Sequence, residues 1–369
     1  MVFIQKKKLL IVDDSAFMRK LIGDFFNESN VIEVVGIARN GKDAIQKIKA
    51  LKPDVVTMDV EMPEMNGLDA LKQIMSETPT AVVMLSSTTQ KGTEITMQAM
   101  EYGAVDFVAK PSGTISLDLH KIKDELVTKV ENAASVTISK LSKSNTTAPL
   151  ATTSHQYEKK VLEVQTPTSK RVQNWSKTNR KMVLIGTSTG GPRALQEVIT
   201  KLPKDMKAPV LIVQHMPAGF TKSLAERLNQ LAEIVVKEAE NGDILRDGHA
   251  YIAPGGFHMK IHKIGSTYSI VLDNEEAPRA GHRPAVDVLF EDNSRYNDFD
   301  KIAVIMTGMG SDGSKGLQQL KKNGNVVAIA ESSKTCIVYG MPKAAVETNL
   351  VNEVVELDNI AKAIIQYLP

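Results

Sequence analysis

The sequence predicts an α/β protein with two domains. We expect an N-terminal, doubly wound domain with a five-stranded parallel sheet, and a C-terminal domain with a mainly parallel sheet plus a β-hairpin. The chain has 369 residues, more than one ordinary hydrophobic core accommodates. Short apolar runs alternate with helical spacing at both ends of the chain, as is typical of parallel sheets covered by helices. The segment between is polar, so we place domains at 1–134 and 182–369 and a flexible linker at 135–181.

The composition bounds the class of protein. Apolar residues make up 42% of the chain and charged residues 24%, as in soluble globular proteins. No apolar run approaches the roughly 20 residues that span a bilayer, and the N-terminus lacks a signal-peptide pattern. The single cysteine, Cys336, fits a reducing compartment. We therefore expect a cytoplasmic protein without membrane insertion.

The net charge of +2 comes from the linker. Lys and Arg number 16 against 19 Asp and Glu in 1–134, 9 against 2 in 135–181, and 20 against 22 in 182–369. A nucleic-acid-binding domain normally carries a basic face, so we expect no nucleic-acid partner. The only tryptophan, Trp175, lies in this basic linker. It either docks on a domain and fixes the domain orientation, which we favour, or covers the start of the second domain.

In the first domain, apolar runs and helical spacing alternate along the chain. The spacing of Phe17, Leu21 and Phe25 is typical of a helix. The remaining predicted helices lie at 44–51, 93–102 and 117–130, and the five predicted strands at 9–12, 31–38, 55–58, 81–87 and 105–109.

Charged and polar residues stand at the ends of these strands. Because the ligand site of a doubly wound sheet lies beyond the carboxyl ends of its strands, we expect these side chains to meet there. Three carboxylates would repel one another unless a divalent cation such as Mg²⁺ bound them. A lysine and a hydroxyl beside them suit the placement of a phosphoryl group on one carboxylate. The residues concerned are Asp13, Asp14, Asp59, Ser86 and Lys110.

These residues, with the run Met-Asp-Val-Glu-Met-Pro-Glu-Met-Asn-Gly around Asp59 and the pair Lys110-Pro111, resemble the motifs of two-component receiver domains. The resemblance covers roughly 5–132. It implies that Asp59 is the phosphoacceptor and that Asp13, Asp14 and the backbone carbonyl of Glu61 help to hold Mg²⁺. It also implies that Ser86, Phe107 and Lys110 are the switch residues.

The second domain begins with a buried strand at 182–185 and a tight, small-residue turn. Proline opens the helix that follows the turn. Further predicted strands lie at 209–213, 302–306 and 326–330, predicted helices at 193–202 and 316–322, and a hairpin at 259–273.

Three of these strands are followed by Ser188, His215 and Asp312. A serine nucleophile needs a base and a carboxylate that orients the base, and these are the three types required. Other interpretations remain open from spacing alone. The Gly-rich turn could bind a phosphate, although it lacks the usual glycine spacing and a P-loop lysine. The histidine could be structural, and the aspartate a helix cap.

The second domain resembles the catalytic domain of the chemotaxis receptor methylesterases, over about 182–366. The similarity is carried by Ile-Gly-Thr-Ser-Thr-Gly-Gly-Pro, Gln-His-Met-Pro, Tyr-Ile-Ala-Pro-Gly-Gly, His-Arg-Pro-Ala-Val-Asp-Val-Leu-Phe, Met-Thr-Gly-Met-Gly-Ser-Asp-Gly and Tyr-Gly-Met-Pro-Lys-Ala-Ala. It implies Ser188 as nucleophile, His215 as base and Asp312 as its partner, with the backbone N–H groups of Thr189 and Met309 as oxyanion donors.

The resemblance further implies hydrolysis of glutamate γ-methyl esters, with glutamine deamidation, on chemoreceptor cytoplasmic helices. A chemotaxis histidine kinase would phosphorylate the receiver and thereby activate the enzyme. We expect Mg²⁺ at the receiver site and no cofactor in the catalytic domain, because His249, His258, His262 and His282 lack metal-ligand spacing. We expect 281–290 to line the substrate groove.

Two alternatives belong to other classes. One is a response regulator whose output domain binds DNA or protein without catalysis. The other is a small-ester hydrolase that uses its receiver only for dimerisation.

Overall fold

The computed structural model describes residues 5–110, 119–138, 175 and 178–369. It contains two α/β units, each built on a parallel sheet, as the sequence predicts. Most of the predicted linker, 139–174, lies outside the described residues, as do 117 and 118 at the start of a predicted helix. Within the described ranges, every helix is too short or too polar to cross a membrane.

The N-terminal unit is a five-stranded parallel sheet in the order β2-β1-β3-β4-β5. The predicted doubly wound domain is therefore confirmed. Its strands are β1 (Lys7–Val12), β2 (Ile32–Ala38), β3 (Val55–Asp59), β4 (Ala81–Ser86) and β5 (Asp106–Ala109), and its helices are α1 (Ala16–Phe26), α2 (Gly41–Leu51), α3 (Gly67–Glu77), α4 (Gln90–Glu101) and α5 (Leu119–Ala133).

Four helices of this unit begin at a polar cap shortly after a strand. The capping side chains of Ser15, Asn40, Asn66 and Thr89 each accept a hydrogen bond from a backbone N–H three residues later. Such caps satisfy N–H groups that the helix itself leaves unpaired. Each strand-to-helix turn is thereby fixed at the edge of the sheet where the predicted acidic site lies.

Helix α1 forms where the spacing of Phe17, Leu21 and Phe25 predicts a helix, but its fully buried residues belong to the adjacent stripe. Phe17 is 55% exposed, whereas Ile22 and Phe26 are buried. Met18, Ile22 and Phe26 have the same spacing as the predicted stripe, displaced by one residue. Periodicity alone does not choose between two adjacent apolar stripes, because both satisfy a helical repeat.

The C-terminal unit is a seven-stranded parallel sheet in the order β14-β13-β12-β6-β7-β9-β8, with a separate antiparallel hairpin formed by β10 and β11. This confirms the predicted mainly parallel sheet and hairpin. The strands are β6 (Lys181–Thr187), β7 (Val210–Gln214), β8 (Val235–Glu238), β9 (His249–Ile252), β10 (His258–Ile264), β11 (Thr267–Asp273), β12 (Asp300–Ile305), β13 (Val326–Glu331) and β14 (Glu353–Val355). The helices are α6 (Gly191–Ile199), α7 (Phe220–Leu231), α8 (Val286–Asn293), α9 (Ser314–Asn323), α10 (Met341–Glu347) and α11 (Leu357–Ile365).

Strand β6 lies inside this sheet and is buried along its whole length. Successive side chains of a strand point to opposite faces. Val183 and Ile185 accordingly join the core beneath α6, α7 and α11, while Met182 and Leu184 join the core shared with α8, α9 and the hairpin. Helices on both faces thus hold the strand that ends at the Ser188 turn.

Trp175 lies against the C-terminal unit. Its ring makes an edge contact with Tyr367, with the centroids 5.5 Å apart, and its Nε1 donates a hydrogen bond to the Tyr367 carbonyl at 3.1 Å. The Lys181 ammonium stands 4.4 Å from the ring centroid. Trp175 therefore docks on the C-terminal unit, beside Lys181 at the start of β6.

Candidate functional site

Three carboxylates and a lysine meet at the carboxyl edge of the N-terminal sheet. Asp13 and Asp14 follow β1, Asp59 ends β3, and Lys110 follows β5. One oxygen from each carboxylate lies within 4.8 Å of the others. The Lys110 Nζ stands 2.9 Å from Asp13 Oδ2 and 2.8 Å from Asp59 Oδ2. The structure therefore brings these four predicted residues together.

Burial sets the electrostatics of this acidic site. Burial raises the pKa of Asp59 to about 6, and the charge of Asp13 adds to the rise, although Lys110 opposes it. Burial opposes the charged form of Lys110, but the two carboxylates outweigh it and raise the pKa of the ammonium. Clustered carboxylate oxygens under mutual repulsion are the ligands that Mg²⁺ prefers. The residues present therefore fit the predicted cation.

The other predicted receiver residues surround this cluster. The Glu61 N–H donates to Asp59 Oδ1 at 3.4 Å. The buried Ser86 hydroxyl donates to the Gly92 carbonyl at 3.0 Å, at the start of α4. Phe107 is 3% exposed and stacks on Phe220 of the C-terminal unit, with the ring centroids 4.5 Å apart. This aromatic therefore lies between the two units.

The second set of predicted residues lies at the carboxyl edge of the C-terminal sheet. Thr187 and Gln214 are paired at the ends of β6 and β7, so Ser188 and His215 follow on neighbouring strands. The His215 N–H also donates to the Thr187 carbonyl at 3.1 Å. The register of two parallel strands therefore places the serine turn beside the histidine loop.

His215 and Asp312 are directly bonded. The His215 Nε2 stands 2.8 Å from Asp312 Oδ2, and each side chain is 4% exposed. His215 Nδ1 is buried and has no hydrogen-bond partner among the described residues. With Asp312 ionised, Nε2 carries the ring proton and Nδ1 has a free lone pair. The arrangement suits a base that accepts a proton from a neighbouring hydroxyl.

The first turn of α8 holds the Asp312 carboxylate. The backbone N–H groups of Val286 and Asp287 donate to its two oxygens at 2.7 and 2.8 Å. Burial alone would raise the pKa of Asp312, but the hydrogen bond and charge of His215 and these N–H donors outweigh burial and lower that pKa. The positive end of a helix favours an anion at this position. Asp312 is therefore held as a carboxylate.

The Asp287 carboxylate binds the first turn of α9 in the same way. Its Oδ1 accepts hydrogen bonds from the N–H groups of Gly313 and Gly316, at 2.9 and 2.7 Å. Asp312 thus binds the first turn of α8, which carries Asp287, and Asp287 binds the first turn of α9, which follows Asp312. The sequence analysis did not single out Asp287. An aspartate in the first turn of a helix was the available signal, but its partner lies in a distant segment.

His282 stacks on His215, with the ring centroids 3.8 Å apart and the planes within 9°. Burial, followed by the charge of His215, lowers the pKa of His282 to about 4, so the ring is neutral at pH 7. Within the ranges that the structure describes, the one cluster suited to a metal is that of Asp13, Asp14 and Asp59. The neutral His282 ring therefore packs against one face of the His215 ring.

Two glycine-containing loops approach each other at Ser188. Its N–H donates to the Thr307 carbonyl at 3.0 Å, and a Cβ on Gly308 would lie 2.8 Å from the Ser188 Cβ. Neither the Thr189 N–H nor the Met309 N–H donates to another described residue. These two predicted donors are therefore available to a bound oxygen atom.

The N-terminal unit packs on this edge of the C-terminal unit. The Thr189 hydroxyl donates to Asp106 Oδ2 at 2.6 Å, next to the stack of Phe107 on Phe220. On the α4–α7 side, Arg227 binds both oxygens of Glu101, with Nη2 and Oε2 2.9 Å apart. Two further contacts join Thr93 to Ser223 and Asn132 to the side chain of Met309.

Comparisons with known proteins agree across both units. The response regulator receiver domain family matches residues 9–120, and the CheB methylesterase family matches 183–364. A protein-glutamate methylesterase/protein-glutamine glutaminase of Geobacillus kaustophilus is 54% identical, over 98% of each chain. A protein with the same name from Bacillus subtilis is 51% identical over 97% of each chain. Another from Pyrococcus abyssi is 42% identical over 98% of this chain and 94% of its own length.

Proposed function

Since the chain belongs to the CheB methylesterase family and carries a response regulator receiver domain, we propose that it hydrolyses glutamate γ-methyl esters on chemoreceptor cytoplasmic helices. The same acyl chemistry would deamidate receptor glutamines. Its place of action is then the cytoplasm, where these helices lie. The observation that carries the proposal is the bond from His215 to Asp312 beside the Ser188 turn.

In this proposal, acylation uses the residues at this edge of the sheet. His215 Nδ1 accepts the proton as Ser188 Oγ attacks the ester carbonyl, and Asp312 stabilises the imidazolium that forms. The carbonyl oxygen gains negative charge and binds the N–H groups of Thr189 and Met309. Each such donor lowers the barrier by about 3–4 kcal/mol. The C–O bond of the ester breaks, and methoxide takes the proton from His215 to leave as methanol.

Deacylation uses the same groups in a second cycle. Water gives one proton to His215 and attacks the acyl-enzyme, and Ser188 recovers that proton from His215 as the product carboxylic acid leaves and then ionises to glutamate. With a glutamine side chain, the first leaving group is ammonia in place of methanol. Both reactions convert the substrate residue to glutamate.

The receiver supplies regulation in this proposal. Asp59 accepts a phosphoryl group from a chemotaxis histidine kinase, and Lys110 and Ser86 bind its oxygens. Asp13, Asp14, Asp59 and the Glu61 carbonyl would hold Mg²⁺, which neutralises negative charge at the phosphoacceptor. The receiver occupies the edge where Ser188 lies, through Thr189 and Met309. Phosphorylation relieves this contact and admits the receptor.

Methanol release from methylated receptor membranes tests the enzymatic part. We expect release by the wild type and none above background with Ser188→Ala, because the nucleophile is lost. Equal release by both proteins would refute the esterase and leave a non-catalytic output domain as the better interpretation.

A small-molecule phosphodonor tests the regulatory part. We expect it to increase methanol release by the wild type but not by Asp59→Ala. If Asp59→Ala keeps full activity and the wild type ignores the phosphodonor, the receiver serves another purpose, such as dimerisation. The metal site would be supported if the increase of wild-type activity by the phosphodonor requires added Mg²⁺, whereas the basal activity does not.

A further inference from the structure

One amide side chain joins the serine turn to the histidine loop. Gln214 Nε2 donates to the carbonyl of Ser188 and to the carbonyl of His215, each at 3.0 Å. Its Oε1 accepts a hydrogen bond from the Thr187 hydroxyl at 2.7 Å. The side chain therefore binds the backbone of both residues assigned to proton transfer.

The orientation of this amide is fixed by its neighbours. Exchanging nitrogen and oxygen would set the oxygen against two carbonyl oxygens, so only one orientation satisfies the site. Gln214 is 2% exposed, and a buried amide without partners costs free energy. All three of its hydrogen bonds go to the two strand ends. The amide is therefore built into the site and does not simply fill space.

The glycine pair after Ser188 makes room for the amide. A Cβ on Gly191 would lie 1.8 Å from Gln214 Oε1 and 2.8 Å from its Cδ. No real side chain fits at that distance. Gly191 also donates its N–H to the Ser188 carbonyl at 2.7 Å, so this carbonyl accepts from the helix start and from the amide together. Gly191 is required here by the position of the glutamine.

We propose that Gln214 is a positioning residue for the proposed esterase reaction, which fixes Ser188 relative to His215 by binding both carbonyl groups with one amide. The inference rests on the proposed function for the reaction and on the hydrogen bonds for the geometry. Strand pairing sets the register of β6 and β7, but both residues lie beyond the last pair, Thr187 and Gln214. Beyond it, the Gln214 amide links the Ser188 turn to the His215 loop.

The consequence is a loss of rate and not of substrate binding. Removing the amide leaves the His215 carbonyl without this donor and removes the side-chain link between the Ser188 turn and the His215 loop. A displacement of about 1 Å between reacting groups can cost about 100-fold in rate. The N–H groups of Thr189 and Met309 are proposed to bind the carbonyl oxygen as it gains charge in the transition state. Their displacement would therefore also lower kcat, and KM should change little. Replacing a residue that only supported the fold would change the stability without lowering kcat selectively at an unchanged KM.

The test compares two replacements of Gln214 in the full chain. Gln214→Leu keeps the size and loses every hydrogen bond, whereas Gln214→Glu keeps the acceptor for Thr187 and loses the donors. We expect both to lower kcat for methanol release by about 10- to 100-fold with little change in KM. We also expect both to slow the labelling of Ser188 by a fluorophosphonate reagent.

Asn293→Leu is the matched control for stability. Asn293 is a fully buried amide that donates to the Leu289 carbonyl at 2.8 Å, within α8. Its replacement should lower the Tm but keep kcat within about twofold of the wild type. If Gln214→Leu lowers the Tm similarly and labels Ser188 as fast as the wild type, Gln214 has no positioning role.

Gly191→Ala tests the same contact from the other side. The added Cβ must displace the Gln214 amide, so we expect a similar loss of kcat although alanine favours helices. Combined with Gln214→Ala, it should cost less than the sum of the separate effects, because the two residues share one contact. Full additivity would contradict the assignment. Absence of methanol release by the wild type would instead refute the proposed function, while the labelling rates would still decide the role of Gln214.

Discussion

Reversing the charge of Arg227 should raise the activity of the unphosphorylated protein. Arg227 on α7 binds both carboxylate oxygens of Glu101 at the end of α4, across the boundary between the two units. In Arg227→Glu two carboxylates face each other there. The receiver should then leave the catalytic edge more often, and basal methanol release should increase.

The magnitude follows from the exposure of the pair. The Arg227 side chain is 35% exposed and that of Glu101 20%, so water screens much of the attraction. We assign about 1 kcal/mol to the lost pair and a similar repulsion to the new one. A total of about 1–2 kcal/mol shifts the ratio of covered to open protein about 5- to 30-fold. Basal activity rises by the same factor while the covered form predominates.

The assay is methanol release with and without a phosphodonor at low and high salt. Arg227→Glu should show higher basal release, a smaller phosphodonor response and a weaker effect at high salt. Adding Glu101→Arg restores the pair with exchanged charges and should return basal release toward the wild type. Lys222→Glu makes the same charge change on the exposed side of α7 and should leave basal release unchanged. Unchanged basal release in Arg227→Glu, or no restoration in the charge exchange, would refute the reasoning.

Three further predictions concern single side chains. Asp312→Asn keeps the shape of the side chain but loses the negative charge that orients His215. The kcat should therefore fall by about 10⁴-fold, while the circular dichroism spectrum stays normal. A loss of kcat below tenfold would contradict the role of Asp312 as the partner of His215. Asp59→Asn should abolish the phosphodonor response. The folded-state pKa of Asp59 is raised to about 6, so between about pH 4 and 6 the folded protein holds a proton on Asp59 that the unfolded protein has lost. The stability of the folded state therefore decreases as pH rises through that window. In metal-free protein, Asp59→Asn should accordingly raise the Tm more at pH 7 than at pH 4. The pKa of His282 is lowered to about 4, so the stability of the folded state decreases as pH falls from about 6.5 toward 4. His282→Phe should keep the ring stack with His215 and reduce that loss of stability. An unchanged pH dependence of the Tm would show that His282 does not titrate in this range.

The residues at strand ends could be predicted from sequence because their placement depends on local order. In a parallel sheet every strand ends at the same edge as its neighbours. Apolar runs located the ends of β1, β3 and β5, and so predicted that Asp13, Asp59 and Lys110 would lie together. The same logic applied to the second sheet, where Ser188 and His215 follow paired strands. Neither prediction required knowledge of side-chain packing.

Contacts between distant segments could not be predicted in this way. Asp287 binds the N-cap residue of α9, Gly313, which lies 26 residues later, and the Gln214 amide reaches back to the end of the previous strand. Periodicity describes one element at a time, so it did not choose between the two apolar stripes of α1. Nor did it identify Tyr367 as the residue that Trp175 contacts.

The contact between the two units depends on the position of β5 at the edge of the N-terminal sheet. An edge strand is free to face another domain, and its alternate residues point to opposite sides. Asp106 binds the Thr189 hydroxyl while its neighbour Phe107 stacks on Phe220. Lys110 follows the same short strand and contacts Asp59. A shift of β5 that accompanies phosphorylation of Asp59 would therefore act on the residue next to Ser188 through one strand. For this reason Asp106→Asn, which keeps the shape but weakens the charge-assisted bond to Thr189, should reduce the phosphodonor response by raising basal release.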